Sequence, residues 1–120
     1  SMAALPPAMR EGLRLLSVFA GSFDAAAVFT MLHHVPSVAM QDRLLAEVCR
    51  CLRPGGLLVG SDTLPSLRFR LYHLADTMVV VDPDRLPGRL EAAGFEEPLV
   101  DTRAGRIRFR ARRPQAQTPR

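Results

Sequence analysis

The hydrophobic pattern changes period several times along the chain. Two apolar runs, Phe23-Asp24-Ala25-Ala26-Ala27-Val28-Phe29 and Leu57-Leu58-Val59-Gly60-Ser61-Asp62, are short, bounded by turn residues and nearly free of charge. That is the pattern of strands buried on both faces of a parallel sheet. Between them Leu44, Leu45, Val48 and Leu52 recur at helical spacing while Gln41, Asp42, Arg43, Glu47 and Arg50 stay polar. A helix packed by one stripe is therefore expected, from an N-cap at Ser37 to about Arg53. Pro54-Gly55-Gly56 stops it and turns the chain into the second strand. Strand, helix and strand then form one right-handed crossover unit.

Beyond this unit the segment Leu64 to Asp82 is irregular, with Leu67, Leu71, Leu74 and Met78 at mostly helical intervals, and a helix is expected there. Asp82 as cap and Pro83 as first helical residue open a further short helix through Leu86, Leu90 and Ala93, closed by Gly94. Glu97 to Thr102 and Arg106 to Arg112 read as strands around Arg103-Ala104-Gly105, an antiparallel hairpin. In the last strand Ile107, Phe109 and Ala111 face one side and Arg106, Arg108, Arg110 and Arg112 the other. Ahead of Gly21 two readings stay open. Met9, Leu13, Leu16 and Ala20 after Pro6-Pro7 suit a helix, whereas Leu13, Leu15, Ser17 and Phe19 also alternate as in a strand.

Composition narrows the class. The 120 residues are 48% apolar and 23% charged, in the range of a single folded domain. An N-terminal segment over 1–20, a half-domain over 21–114 and a disordered tail over 115–120 are expected, with Ser1-Met2 an addition ahead of the natural start. No apolar run reaches the ~20 residues of a membrane span, so no membrane partner and a cytoplasmic location are expected. The net charge is +4, yet all 16 basic residues are arginine. With abundant Ala, Leu and Pro this reads as compositional bias and argues against a nucleic-acid partner. Cys49 and Cys51, two apart on a helix, diverge and are expected as reduced structural thiols.

Three phrases recur in one order: Gly21-Ser22-Phe23-Asp24-Ala25 leading into His33-His34-Val35, then Arg50-Cys51-Leu52-Arg53-Pro54-Gly55-Gly56, then Leu90-Glu91-Ala92-Ala93-Gly94-Phe95. Together the stretch from Gly21 to Pro114 resembles the second half of a class I S-adenosylmethionine-dependent methyltransferase. The resemblance implies an α/β fold, a partial Rossmann-like sheet of the family's strands 4, 5, 7 and 6 with flanking helices and an antiparallel C-terminal hairpin. It also implies S-adenosylmethionine as cofactor. The departure from the family is at the N-terminal side, where a glycine-rich turn and an acidic ribose-holding residue are the family's grip on the cofactor. Residues 1–20 contain one glycine, Gly12, and neither feature can be placed. Weak cofactor binding by this chain alone is the consequence.

Ligands of open parallel sheets sit at the carboxyl ends of the strands, which singles out the residues after Phe23 to Phe29. The resemblance implies that Phe29, Thr30 and Met31 border the cofactor, with His33 beside the transfer path. His33 suits a general base, because imidazole titrates near neutrality and methyl acceptors often lose a proton. Asp62, at the end of the second strand, is a candidate acceptor contact. Tyr72 and His73 lie where the family builds its acceptor pocket. A metal site of His33, His34, His73 and Asp62 is not expected, since adjacent histidines do not converge on one point. The arginine ladder Arg106 to Arg112 reads as a solvated face without interleaved aromatics.

Two functions follow. One is a methyltransferase, fragment or short member, acting on a small-molecule acceptor and inactive as the isolated chain. The other is a non-catalytic interaction or binding module that keeps half the fold. Removing the family's first strands leaves Phe23 to Phe29 as an open, apolar edge, covered either by Leu13 to Phe19 or by a second copy. A homodimer at this edge is expected.

Overall fold

The computed structural model describes residue 7 and residues 20–29, 32–35, 37–64 and 81–116. Residues 65–80 of the expected helix over Leu64 to Asp82, nearly all of the N-terminal helix or strand and most of the tail lie outside the described residues.

Strand β1 (Phe23–Phe29) leads through a 3₁₀ turn (Leu32–His34) into helix α1 (Val38–Cys51) and strand β2 (Leu52–Thr63). Helix α2 (Leu86–Ala92) and the hairpin of β3 (Glu96–Arg103) and β4 (Arg106–Arg112) follow. The sheet order is β1-β2-β4-β3, with β1 parallel to β2 and the other pairs antiparallel. This is the mixed four-strand sheet with flanking helices that the α/β reading implies.

Ser37 caps α1 as its side chain suggests: Oγ accepts the Met40 amide N–H at 3.1 Å. The other end differs from expectation. Helix α1 stops at Cys51, and Leu52 is already extended and fully buried as the first residue of β2. Glycines do not cap the helix. The guanidinium of Arg113 does, donating from Nη1 to the carbonyls of Cys49 (3.3 Å), Arg50 (2.8 Å) and Leu52 (2.5 Å), where a cation also meets the negative end of the helix dipole. Pro54-Gly55-Gly56 instead form a bulge inside β2: Phe23 pairs with Leu52, whereas Ala25 pairs with Leu57. Gly55 donates to the Arg113 carbonyl and Arg113 to the Gly56 carbonyl, each at 2.9 Å.

The largest correction concerns β1 and β2. Neither is buried on both faces. In β2, Leu58, Gly60 and Asp62 are buried while Val59, Ser61 and Thr63 between them are half-exposed, the alternation of a strand covered on one side. In β1 only Val28 is buried, with Phe23 38% and Phe29 63% exposed. Among the described residues the helices pack on one face only. There Leu32, Val35, Leu45, Leu52, Leu58, Leu86, Leu90 and Ile107 form the core. Gly60 belongs to this face because any Cβ on it would run into the Phe109 ring and, at 2.7 Å, the Val28 carbonyl.

At the C-terminal side Asp82 does not cap α2. Its Oδ1 accepts from the Asp84 amide at 2.9 Å, closing a turn over residues 83–85, and α2 starts at Leu86 with Pro87 in its first turn. The hairpin turn is tighter than the three residues expected. Arg103 pairs with Arg106, leaving Ala104 (φ 52°) and Gly105 (φ 75°), both left-handed, as a two-residue I′-type turn.

Candidate functional site

The carboxyl ends of β1 and β2 bring together His33 and Asp62, residues 29 apart in sequence. The Asp62 carboxylate accepts the His33 backbone N–H at 3.2 Å and meets His33 Nδ1 at 2.5 Å. It also accepts the Thr63 amide at 2.7 Å. His33 is 4% exposed and Asp62 fully enclosed. A buried carboxylate is tolerated when its lone pairs are satisfied, and here three N–H groups converge on it. Since two of the three are backbone amides that can only donate, Asp62 is an acceptor. In the neutral imidazole the proton therefore sits on Nδ1 and the lone pair on Nε2. The exposed His34 ring lies tilted against His33, centroids 4.0 Å apart and planes at 41°.

A second polar path braces the same turn. Gln41, assigned by its spacing to the polar face of α1, is fully buried. Its Nε2 donates to the Leu32 carbonyl at 2.9 Å, and its Oε1 accepts from Arg89 Nη2 at 2.8 Å. Arg89 Nε also donates to Asp42 Oδ1 at 2.7 Å. The α2 guanidinium thus fixes the α1 amide, which fixes the carbonyl next to His33. Sequence periodicity misses this because a glutamine counts as polar wherever it points. The detectable signal is Gln41 sitting three and four positions ahead of Leu44 and Leu45, on the apolar stripe.

Other candidates fall elsewhere. Phe29 does not join His33 and Asp62: with Val59, Ser61, Leu99, Arg106 and Arg110 it lines a shallow hollow of ≈ 590 Å³ on the opposite face of the sheet. Asp62 is placed as the anchor of His33 and has no exposed surface of its own. Thr30, Met31, Tyr72 and His73 lie outside the described residues. Among the described residues no three metal-ligating side chains cluster, and no helix is long and apolar enough to cross a membrane. Cys49 and Cys51 are buried free thiols. Burial pushes both thiols up from their usual range, against the opposing pull of Arg113 on Cys49 and Arg50 on Cys51.

The methyltransferase-domain family model matches residues 8–60. No curated protein matches the sequence. Among solved structures the chain is similar to a possible exported protein from Bordetella parapertussis, at 17% identity and TM-score 0.67, covering 91% of this chain and 51% of that one. It is also similar to a SAM-dependent methyltransferase, possible histamine N-methyltransferase, from Thermotoga maritima, at 20% identity and TM-score 0.64, covering 78% and 57%. A third likeness is to Haemonchus contortus phosphoethanolamine N-methyltransferase 2 in complex with S-adenosyl-L-methionine, at 14% identity and TM-score 0.68, covering 80% and 34%. The chain thus spans about half the length of the first two. Sheet and crossover unit give the chain the fold of these S-adenosylmethionine-dependent methyltransferases, and the methyltransferase-domain model matches its residues 8–60.

The described residues do not by themselves fit that cofactor. Asp62, the described acid at the carboxyl end of β2, already accepts three N–H groups, so its carboxylate is committed rather than open to ribose hydroxyls. No glycine-rich turn lies among the described residues at these strand ends.

Proposed function

We propose that this chain supplies the acceptor side of a methyltransferase that moves the methyl group of S-adenosylmethionine to a small-molecule acceptor, with His33 taking the acceptor's proton. The observation that carries the reading is the buried His33–Asp62 pair at the carboxyl ends of two neighbouring parallel strands, the position where open α/β sheets do their chemistry. The acceptor's O–H or N–H bond breaks, its electron pair stays on the nucleophile, and the proton goes to His33 Nε2. Asp62 then holds the imidazolium that forms. The acceptor is accordingly a protic oxygen or nitrogen nucleophile.

The 120 residues alone hold the cofactor weakly, because they supply one wall of its site. The test is a titration of the ¹⁵N-labelled chain with S-adenosylmethionine. Millimolar affinity, about −4 kcal/mol, is expected, with shifts confined to amides near Phe29, Leu32, His33 and Asp62. Micromolar affinity, or shifts that avoid these residues, would overturn the reading. The exposed face around Phe29 favours a second reading, a non-catalytic half-fold used for association, which the absence of any shift at His33 and Asp62 would promote.

A further inference from the structure

The peptide unit joining Leu32 to His33 is gripped at both ends. Its carbonyl oxygen accepts from Gln41 Nε2 and from the Val35 amide, each at 2.9 Å. Its N–H donates to Asp62 Oδ2 at 3.2 Å, while Oδ1 of the same carboxylate meets Nδ1 of the His33 ring at 2.5 Å. One carboxylate therefore sets the backbone and the ring of His33 together. The bonds also run in one direction. Arg89 Nη2 donates to Gln41 Oε1 at 2.8 Å, and from there each amide accepts on its oxygen and donates from its nitrogen until the chain reaches Asp62. A guanidinium cation stands at one end, a carboxylate at the other, and the two amide dipoles between them point the same way. Hydrogen bonds in such a chain polarise one another, and those to the charged ends are the strong ones. Water is largely kept out: Gln41 and Asp62 are fully buried, and the Arg89 side chain is 13% exposed. Asp42 holds Arg89 in place, Oδ1 accepting from Nε at 2.7 Å.

We propose that Arg89 and Gln41 are positioning residues for His33, acting through this chain of two amides on the carboxylate that orients its ring. The role rests on the reading of His33 as the proton acceptor. Neither residue touches the reacting atoms. They hold the Leu32–His33 peptide plane so that Asp62 receives the backbone N–H and the ring Nδ1–H at once, which leaves the Nε2 lone pair on the ring edge away from the carboxylate. A side chain that only filled space at position 41 would need neither the donor nor the acceptor, and a buried amide is tolerated there because both of its ends are engaged. Helix α2, which supplies Arg89, thereby sets the geometry at the carboxyl ends of β1 and β2.

The experiment is amide hydrogen exchange of the full ¹⁵N-labelled chain, reading the His33 backbone N–H against that of Phe109 in the middle of β4, together with the His33 Nδ1 proton resonance. Gln41→Glu keeps an oxygen for Arg89 but sets another against the Leu32 carbonyl, which breaks the chain in its middle. Arg89→Leu removes the cationic end, and Arg89→Lys restores a cation. The ratio of His33 to Phe109 exchange is expected to rise at least ~10-fold in Gln41→Glu and Arg89→Leu and to stay within ~3-fold of the parent in Arg89→Lys. The Nδ1 proton is expected to move upfield in the first two alone. An unchanged ratio in Gln41→Glu or in Arg89→Leu overturns the proposal, including the case where both amides exchange faster by one factor, as loss of general stability would produce. So does a lysine variant that behaves like the leucine one. If Arg89→Leu does not fold, Gln41→Glu and Arg89→Lys still decide. The base reading fails separately, by a parent ring that carries its proton on Nε2.

Discussion

The two faces of one sheet are built from alternate residues of the same strands, yet they carry different burdens. On the covered face Leu58, Gly60, Asp62, Ile107, Phe109 and Ala111 pack beneath α1 and α2, and the His33–Asp62 pair is set into that packing. On the open face Phe29, Val59, Ser61, Arg108 and Arg110 stand above the same backbone with hollows between them. Arg108 makes a bidentate contact with Asp101 at 3.0 and 3.1 Å, which raises its already high basicity, but this pair is exposed. Stability and the candidate chemistry share one face, while the other carries exposed side chains around a shallow hollow.

Substitutions one residue apart should therefore differ widely. Leu58→Ala removes a fully buried side chain and is expected to cost about 2–5 kcal/mol in urea unfolding; a cost below about 1 kcal/mol would mean that the core lies elsewhere. Gly60→Ala forces a methyl against Phe109 and the Val28 carbonyl, with an expected loss of about 1–3 kcal/mol. At Asp62 the change to Asn leaves three N–H groups facing a poorer acceptor. A loss of about 1–3 kcal/mol is expected, accompanied by altered His33 ring resonances, which a purely packing role would not produce.

Alkaline pH offers a smaller probe of the covered face. Burial raises the Cys49 and Cys51 thiols above their unfolded values. The folded chain then holds these protons more tightly than the unfolded one, so their contribution is intact below the ordinary thiol range and is lost as pH rises through the raised folded values. Unfolding free energy measured against pH should fall on the alkaline side, and a Cys49→Ala/Cys51→Ala variant should fall less. The smallest effect belongs to the open face, where Arg110→Gln should change stability by no more than about 0.5 kcal/mol.

Much of the fold was legible because local rules and tertiary structure agree. Ser37 caps the helix its position announces, and Ile107, Phe109 and Ala111 share one face of the last strand as their spacing requires. Where sequence reading went astray, a long-range partner decided the matter. Arg113, over 60 residues from the carbonyls it caps, displaced glycine as the helix stop and turned Pro54-Gly55-Gly56 into a bulge. Apolar runs in β1 and β2 suggested burial on both faces, but a run of alanines and valines is equally compatible with one covered side. Of the site, His33 and Asp62 were both singled out, yet their direct contact could not be read from residues 29 apart. Gln41 was missed because its burial depends on Arg89 and the Leu32 carbonyl.

The proposed chemistry depends on His33 as a proton acceptor oriented by Asp62. Long-range ¹⁵N–¹H correlation of the imidazole ring in the intact chain, at a pH where the ring is neutral, addresses that directly. The proton should reside on Nδ1, leaving Nε2 with its lone pair; a ring protonated on Nε2 would contradict both the orientation by Asp62 and the proposed role.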